Sequence, residues 1–320
     1  MTRDSSNSTT PVTLECSSIQ LRESVVKGVS TRIRCVEIGG QMFSLSDGPI
    51  RTVSLEDDWY EDVGNPAAII EALRGSSGPA ADLFTFWQRP PDVEPVHEYY
   101  REFDELAVLP LGTYEDWWSE TIKSRLRTTI RKSEKLGVEV READFDDDFI
   151  KGMQGIFNEE RIRQGRPFWH FGKDFDTIKQ QFSRFVHRER MIGAYYEGKM
   201  IGFVMLGNAG RFSLLGQILS SIHHRDKAPN NALIAKSVEI AAQQGHEQLV
   251  YWYWSDDSLS EFKRRCGFER IQTPRYYVPL THKGRLALKV GAHRGIRNMV
   301  PPAIKHRLKE LRNRWYGARS

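Results

Sequence analysis

Residues 221–268 read SIHHRDKAPNNALIAKSVEIAAQQGHEQLVYWYWSDDSLSEFKRRCGF, and the order of parts in this stretch decides the fold. A basic, turn-forming loop (Arg225, Asp226, Lys227, Pro229, Asn230, Asn231) opens into a segment with apolar residues at Leu233, Ile234, Val238 and Ala241, the spacing of one buried helix face. Gly245 stops that helix. The apolar-aromatic run 249–254 follows as a strand, and a short helix over 258–265 ends at Gly267-Phe268. The first N–H groups of a helix lack an intrahelical acceptor and carry partial positive charge, so a basic loop entering one is a candidate anion cradle.

Working outward, residues 191–196, 199–207 and 211–219 read as three antiparallel strands, the first pair joined at Glu197-Gly198. Further upstream the pattern predicts a long helix from Thr113 or Tyr114 to Leu136, with Thr113 as cap and Gly137 as stop. A strand over 138–142 and helices over 149–164 and 174–187 follow, and a closing strand at 275–279 ends the pattern. The first hundred residues hold strand-like runs at 31–38, 41–45, 83–88 and 105–109 around one helix, 66–73; Gly39-Gly40 reads as a hairpin turn. Residues 1–12 form a polar Ser/Thr-rich arm without an apolar core, so a disordered arm and no signal peptide are expected.

Loop, helix, strand, helix and a closing Cys-Gly-Phe resemble the C-terminal half of a GNAT-fold acyltransferase. That family wraps an acyl-CoA pyrophosphate in a Gln/Arg-x-x-Gly-x-Gly/Ala loop. The aligned residues here are Lys227-Ala228-Pro229-Asn230-Asn231-Ala232, where Asn230 replaces the first Gly and Pro229 removes a donor. The departure is similar to the branch containing Fem-type peptidyltransferases, as are Phe262-Lys263, the basic segment 124–138 and the closing 274–280. The resemblance implies an α+β fold with a mixed sheet: a GNAT-like acyltransferase domain over 113–280 and a reduced or degenerate N-terminal lobe over 13–112.

Charge and cysteines narrow the class. Three cysteines (Cys16, Cys35, Cys266) show no metal-like spacing and suit a reducing compartment, and no run is long enough to cross a membrane, so a cytoplasmic protein is expected. Net charge is +4, yet residues 281–320 hold eleven Lys/Arg against Glu310, a balance of +10, which leaves 4 − 10 = −6 for the first 280. Ile304, Leu308, Leu311 and Trp315 form an apolar stripe in that basic tail after Pro301-Pro302. The expected partner of the tail is an anionic membrane surface; RNA and a capping role on the body stay open.

Acyl transfer to an amine needs a held donor, a polarised carbonyl and a deprotonated nucleophile. A backbone N–H within 214–218 is expected to polarise the carbonyl, with Gln217 as the polar side chain there. The Phe-Lys resemblance makes Lys263 the first candidate for stabilising charge, beside Phe262; a solvated helix face is the alternative. His170, in the aromatic loop 167–171, is a candidate base or a mere loop cap. Donor-binding candidates are Arg225, Lys227, Asn230, Asn231, Ala232 and Phe262. Acceptor-binding candidates are Arg127 and Arg131, one turn apart, with Trp252, Trp254 and Asp256 at the end of a strand. Tyr276 and Tyr277 are candidate proton donors or closing-strand core. No metal set, Ser-His-Asp order or G-x-G-x-x-G occurs. The expected function is N-acyl transfer from acyl-CoA to an amine of a small molecule, amino sugar or cell-envelope precursor. Alternatives are an aminoacyl-tRNA donor and an inactive peripheral membrane or scaffold protein.

Overall fold

Apolar alternation and a two-glycine turn set the start of the fold. The computed structural model describes residues 14–26, 29–75, 77–163, 165–255 and 258–294. The expected arm, Asp256 and the apolar stripe of the tail lie outside the described residues. Strands β1 (Gln20–Val26), β2 (Val29–Ile38) and β3 (Gln41–Leu45) form an antiparallel ladder. Gly39 and Gly40 take φ of 58° and 80°, the left-handed pair a two-residue hairpin requires. β4 (Thr52–Leu55) adds antiparallel to β3, helix α1 (Pro66–Arg74) crosses over with Asn65 capping the Ala68 N–H, and β5 (Leu83–Trp87) returns parallel to β4.

β6 (Tyr100–Pro110) leads into the second half. The expected long helix is broken there. Thr113 does cap it, in a capping box with Asp116, but only a turn, α2 (Tyr114–Asp116), and a π-turn at Trp117–Thr121 follow. Ile122 and Lys123 are extended, and α3 (Ser124–Lys135) begins anew. Burial decides this: the break sinks both Trp117 and Ile122 into the core, which a continuous helix would place on different faces. Then come β7 (Glu139–Ala143), α4 (Asp147–Phe157), the short hairpin β8 (Ile162–Arg163) with β9 (Arg166–Pro167), and α5 (Phe175–Phe182). The two helices are shorter than their periodicity predicts because Asn158 and Ser183 close them.

β10 (Glu189–Tyr196), β11 (Lys199–Asn208) and β12 (Phe212–Ser220) are antiparallel; α6 (Pro229–Gln243) crosses over, and β13 (Gln248–Tyr253) returns parallel to β12. α7 (Ser258–Arg265), β14 (Glu269–Pro279) and α8 (His282–Lys289) complete the described chain. Twelve strands join one sheet in the order β1-β2-β3-β4-β5-β14-β6-β13-β12-β11-β10-β7. The unit β2-β3-β4-α1-β5 repeats as β10-β11-β12-α6-β13, each with antiparallel strands, a crossover helix and a parallel return. Between them β6 pairs with β13 of the second unit and β14 with β5 of the first, and the two pair with each other, so each half holds a strand in the middle of the sheet.

Candidate active site

The site begins where β12 and β13 part. Their parallel pairing is confined to Phe212–Leu214 against Gln248–Val250, and both strands carry irregularities just beyond. On β12 the partners of Leu206 and Met205 are Leu215 and Gln217, so Gly216 is an extra residue, a bulge. On β13 the register to β6 jumps between Val250 and Tyr253, with Trp252 left-handed at φ 49°. The Trp252 indole Nε1 donates to the Gly216 carbonyl at 2.8 Å and ties the two bulges together.

A cavity of about 360 Å³ opens at this point. Its floor is Met205, Leu214, Gly216, Gln217 and Trp252; one wall is the loop Glu56–Tyr60 that follows β4, and the other is Trp169 with α5. Trp59 packs against both Trp87 and Trp252, each at 4.6 Å between ring centroids. Arginines bolt the acidic loop down. Glu56 pairs with Arg22 at 2.8 Å and Arg184 at 3.0 Å, Asp57 with Arg184, and Asp58 with Arg275 at 3.2 Å. Arg275 also holds Asp104 at 2.6 Å. Burial pushes the Asp58 carboxyl above its usual range against the pull of Arg275.

Glu189, the first residue of β10, turns its carboxylate into this cavity. The buried Tyr60 hydroxyl donates to Glu189 Oε1 at 2.8 Å. Burial holds the Glu189 carboxyl above the ordinary range, with the Tyr60 bond pulling the other way. Burial, and then the Glu189 charge, push the Tyr60 phenol well above its own, so the phenol keeps its proton. Two glycines make room for the pair: a Cβ on Gly207 would lie 2.5 Å from Tyr60 Oη, and one on Gly216 would lie 3.2 Å from Glu189 Oε1. A proton acceptor therefore sits directly on the bulge. The bulge leaves Gly216 out of the ladder, with its carbonyl taken by the Trp252 indole.

Of the residues singled out from the sequence, Gln217 and Trp252 line the cavity. Lys263 does not. It is 1% exposed, and its Nζ donates to the carbonyls of Tyr251 at 2.7 Å and Tyr253 at 2.8 Å, over the Tyr251 ring. The left-handed Trp252 turns those carbonyls out of the ladder, and a buried donor satisfies them. Phe262 and Trp254 pack against the core beside α6, with Arg264 over the Trp254 ring. His170 lies behind the wall, 1% exposed and stacked on Phe157 and Phe182. Burial, then Lys173 and Arg163, lower its pKa to about 3, which makes it a feeble base at neutral pH.

Arg127 and Arg131 are also elsewhere. Arg127 caps the carbonyls of Trp118, Ser119 and Ile122 at the π-turn, and Arg131 stacks on Trp118. Both serve the broken helix. Tyr276 is fully buried, its hydroxyl bonded to Gln88 and to the Val96 and His97 N–H groups. At the α6 N-terminus Ala228 is left-handed and gives no side-chain cap. Lys227 pairs with Asp226 at 3.2 Å and lies over Tyr196, the Asn231 and Ala232 N–H groups turn back onto the Ala228 carbonyl, and Arg225 is exposed. Asn230 Oδ1 is buried without a partner.

Glu189, Tyr60 and Asp58 were not foreseen from the sequence. The signal present was the cluster Glu56-Asp57-Asp58-Trp59-Tyr60, in which three acids run directly into two large aromatics where an ordinary turn carries small polar residues.

No protein-family model matches the chain, and a search of curated proteins found no match. Solved structures share its architecture. FemX is 11% identical, with a TM-score of 0.57 over 85% of this chain and 90% of that one. L-PGS from Bacillus licheniformis is 16% identical, with a TM-score of 0.55 over 77% and 83%. The C-terminal domain of a putative lysylphosphatidylglycerol synthetase from Agrobacterium fabrum is 12% identical, with a TM-score of 0.51 over 78% and 84%. At such identities the likeness concerns the fold alone. The chain has the mixed α/β, GNAT-like fold expected from residues 221–268.

Proposed function

We propose that this chain is an N-acyltransferase in which Glu189 takes the proton of an attacking amine. The observation that carries the reading is the Tyr60-held Glu189 carboxylate lying on the Gly216 bulge. A donor carbonyl placed at the splay would meet backbone N–H groups of the bulged strand. An ammonium entering past the acidic loop would lose a proton to Glu189, its nitrogen would bond to the acyl carbon, and the bond from that carbon to the leaving sulfur or oxygen would break, that atom departing with the bonding electrons and the nitrogen's second proton. A carboxylate with a raised pKa is a better base for an ammonium than an ordinary one. Aromatic walls and the Glu189 carboxylate favour a cationic acceptor over an anionic one, the loop acids being already paired with arginines.

The proposed donor is an acyl-CoA, because the body's net charge of −6 opposes a polyanion as large as tRNA. One observation favours the aminoacyl-tRNA reading: the loop before α6 has spent Lys227 on Asp226 and two of its N–H groups on Ala228, which leaves little to grip a pyrophosphate. Thermal-shift titration with acetyl-CoA, CoA and bulk aminoacylated tRNA decides between them. A ligand at a hundredfold excess over Kd stabilises the folded chain by about 2.7 kcal/mol. A shift with acetyl-CoA supports the first reading, a shift with charged tRNA alone replaces it by the second, and no shift with either removes the transferase reading.

A further inference from the structure

α8 is locked in one orientation. Thr281 caps it by accepting the Gly284 N–H at 3.1 Å and itself bonds Asp82 Oδ1 at 3.2 Å. Buried Asp82 also accepts the Arg51 N–H at 2.9 Å and Lys283 Nζ at 3.4 Å. Gly284 sits so tightly on the Asp82 carbonyl that no methyl group fits between them. Beyond the helix, His293 and Arg294 both hold Glu102. With Gly284 and Ala287 facing inward, the helix cannot roll.

Its outer side is fixed in turn. Leu286 is 61% and Val290 55% exposed, one turn apart on neighbouring positions of the same face. Arg285 and Lys289 stand beside them, both exposed. Residues 281–294 contain Lys283, Arg285, Lys289 and Arg294 and no acid, and the chain runs on into a segment of the same character. Single exposed aliphatics need no explanation, but a locked pair flanked by cations is the pattern of a surface that lies in a lipid interface.

We propose that this face of α8 docks on an anionic bilayer. Leu286 and Val290 enter the headgroup boundary while Arg285 and Lys289 meet lipid phosphates. Charge favours the contact: by sequence, residues 281–320 carry +10, which an anionic surface attracts. No described helix is long and apolar enough to cross a membrane, so the contact is with the surface. An RNA would engage the same cations without using the aliphatic pair, which is why lipid is the partner named.

Co-sedimentation of the full chain with phosphatidylcholine vesicles, with and without phosphatidylglycerol, tests this. Binding is expected only with phosphatidylglycerol and should weaken as salt is added. The double variant Leu286→Gln/Val290→Gln keeps every charge and should bind at least about tenfold more weakly, since two apolar anchors are lost. Leu286→Ala/Val290→Ala, which preserves helix propensity, should follow the same trend and covers any loss of fold in the first pair. Wild-type protein that ignores phosphatidylglycerol overturns the proposal. So do variants that bind vesicles as well as wild type, for charge alone then accounts for binding, and so does bulk tRNA that displaces the protein from vesicles and binds the variants undiminished. None of these results bears on acyl transfer to a water-soluble amine.

Discussion

A half-buried glutamate beside a proton-holding tyrosine leaves a thermodynamic trace. Burial raises the Glu189 pKa, so the folded chain holds that proton to a higher pH than the unfolded chain does. The contribution of Glu189 to stability is then complete below the ordinary glutamate range and is lost as pH rises through the elevated value. Glu189→Gln removes that loss. Its melting temperature relative to wild type should increase as pH rises from about 4 to 8, read by calorimetry; a parallel pair of curves would mean an unshifted carboxyl. Lys263 makes the opposite kind of prediction. Lys263→Met leaves two buried carbonyls of β13 without their donor, at a cost of about 1–3 kcal/mol in denaturant unfolding. Full stability with lost turnover would return Lys263 to direct chemistry.

Elements were readable from the sequence wherever burial and turn chemistry agree. The helix over 66–73, the strands at 41–45 and 83–88, the Gly39-Gly40 turn and the unit following residue 221 all lie within a residue or two of their prediction. β1 was missed because QLRESVV lacks alternation, and β4 because four residues are too few to show any. β6 was seen only at 105–109, since its first half is polar and largely exposed. The break before α3 was missed because the cap at Thr113 and the stop at Gly137 are both real and no Gly or Pro marks the turn between them. Among the elements α8 depends most on one small residue. Gly284→Ala should lose about 1–3 kcal/mol of stability and loosen protection of the α8 amides from hydrogen exchange, because backbone rather than a flexible side chain stands in the way. Unchanged exchange over α8 would show that the helix can shift without cost.

Across the whole molecule, the site is assembled from both repeats, and that is why it was hard to read in advance. Tyr60 comes from the loop after β4 and Glu189 from the start of β10, 129 positions apart. Gln217 and Trp252 could be placed because they lie in the strands of the recognisable unit. The partner of a carboxylate across a sheet has no local spacing to betray it. Arg275 of β14 joins the halves, holding Asp58 of the loop and Asp104 of β6. Arg275→Met leaves those acids facing each other. We expect a loss of about 2–3 kcal/mol, below the value for a fully buried network because both acids keep about a quarter of their side-chain surface in water. Chemical denaturation reads the loss. With a substrate identified, acceptor KM should also rise more than kcat falls, since the loop is a wall of the cavity and holds no reacting atom; an unaltered KM would detach the loop from acceptor binding.

The most direct test of the account is the pH dependence of transfer by wild type and Glu189→Gln. Labelled acyl groups are followed from whichever donor shifts the melt, acetyl-CoA or charged tRNA, to a panel of primary amines. Wild-type kcat should rise with pH through a single ionisation above the ordinary glutamate range. The variant should lose about 10²-fold or more at neutral pH and lack that ionisation. A variant that transfers within a few-fold of wild type along the same pH profile would contradict the central claim, and Glu189 would then be a buried acid with no part in the chemistry.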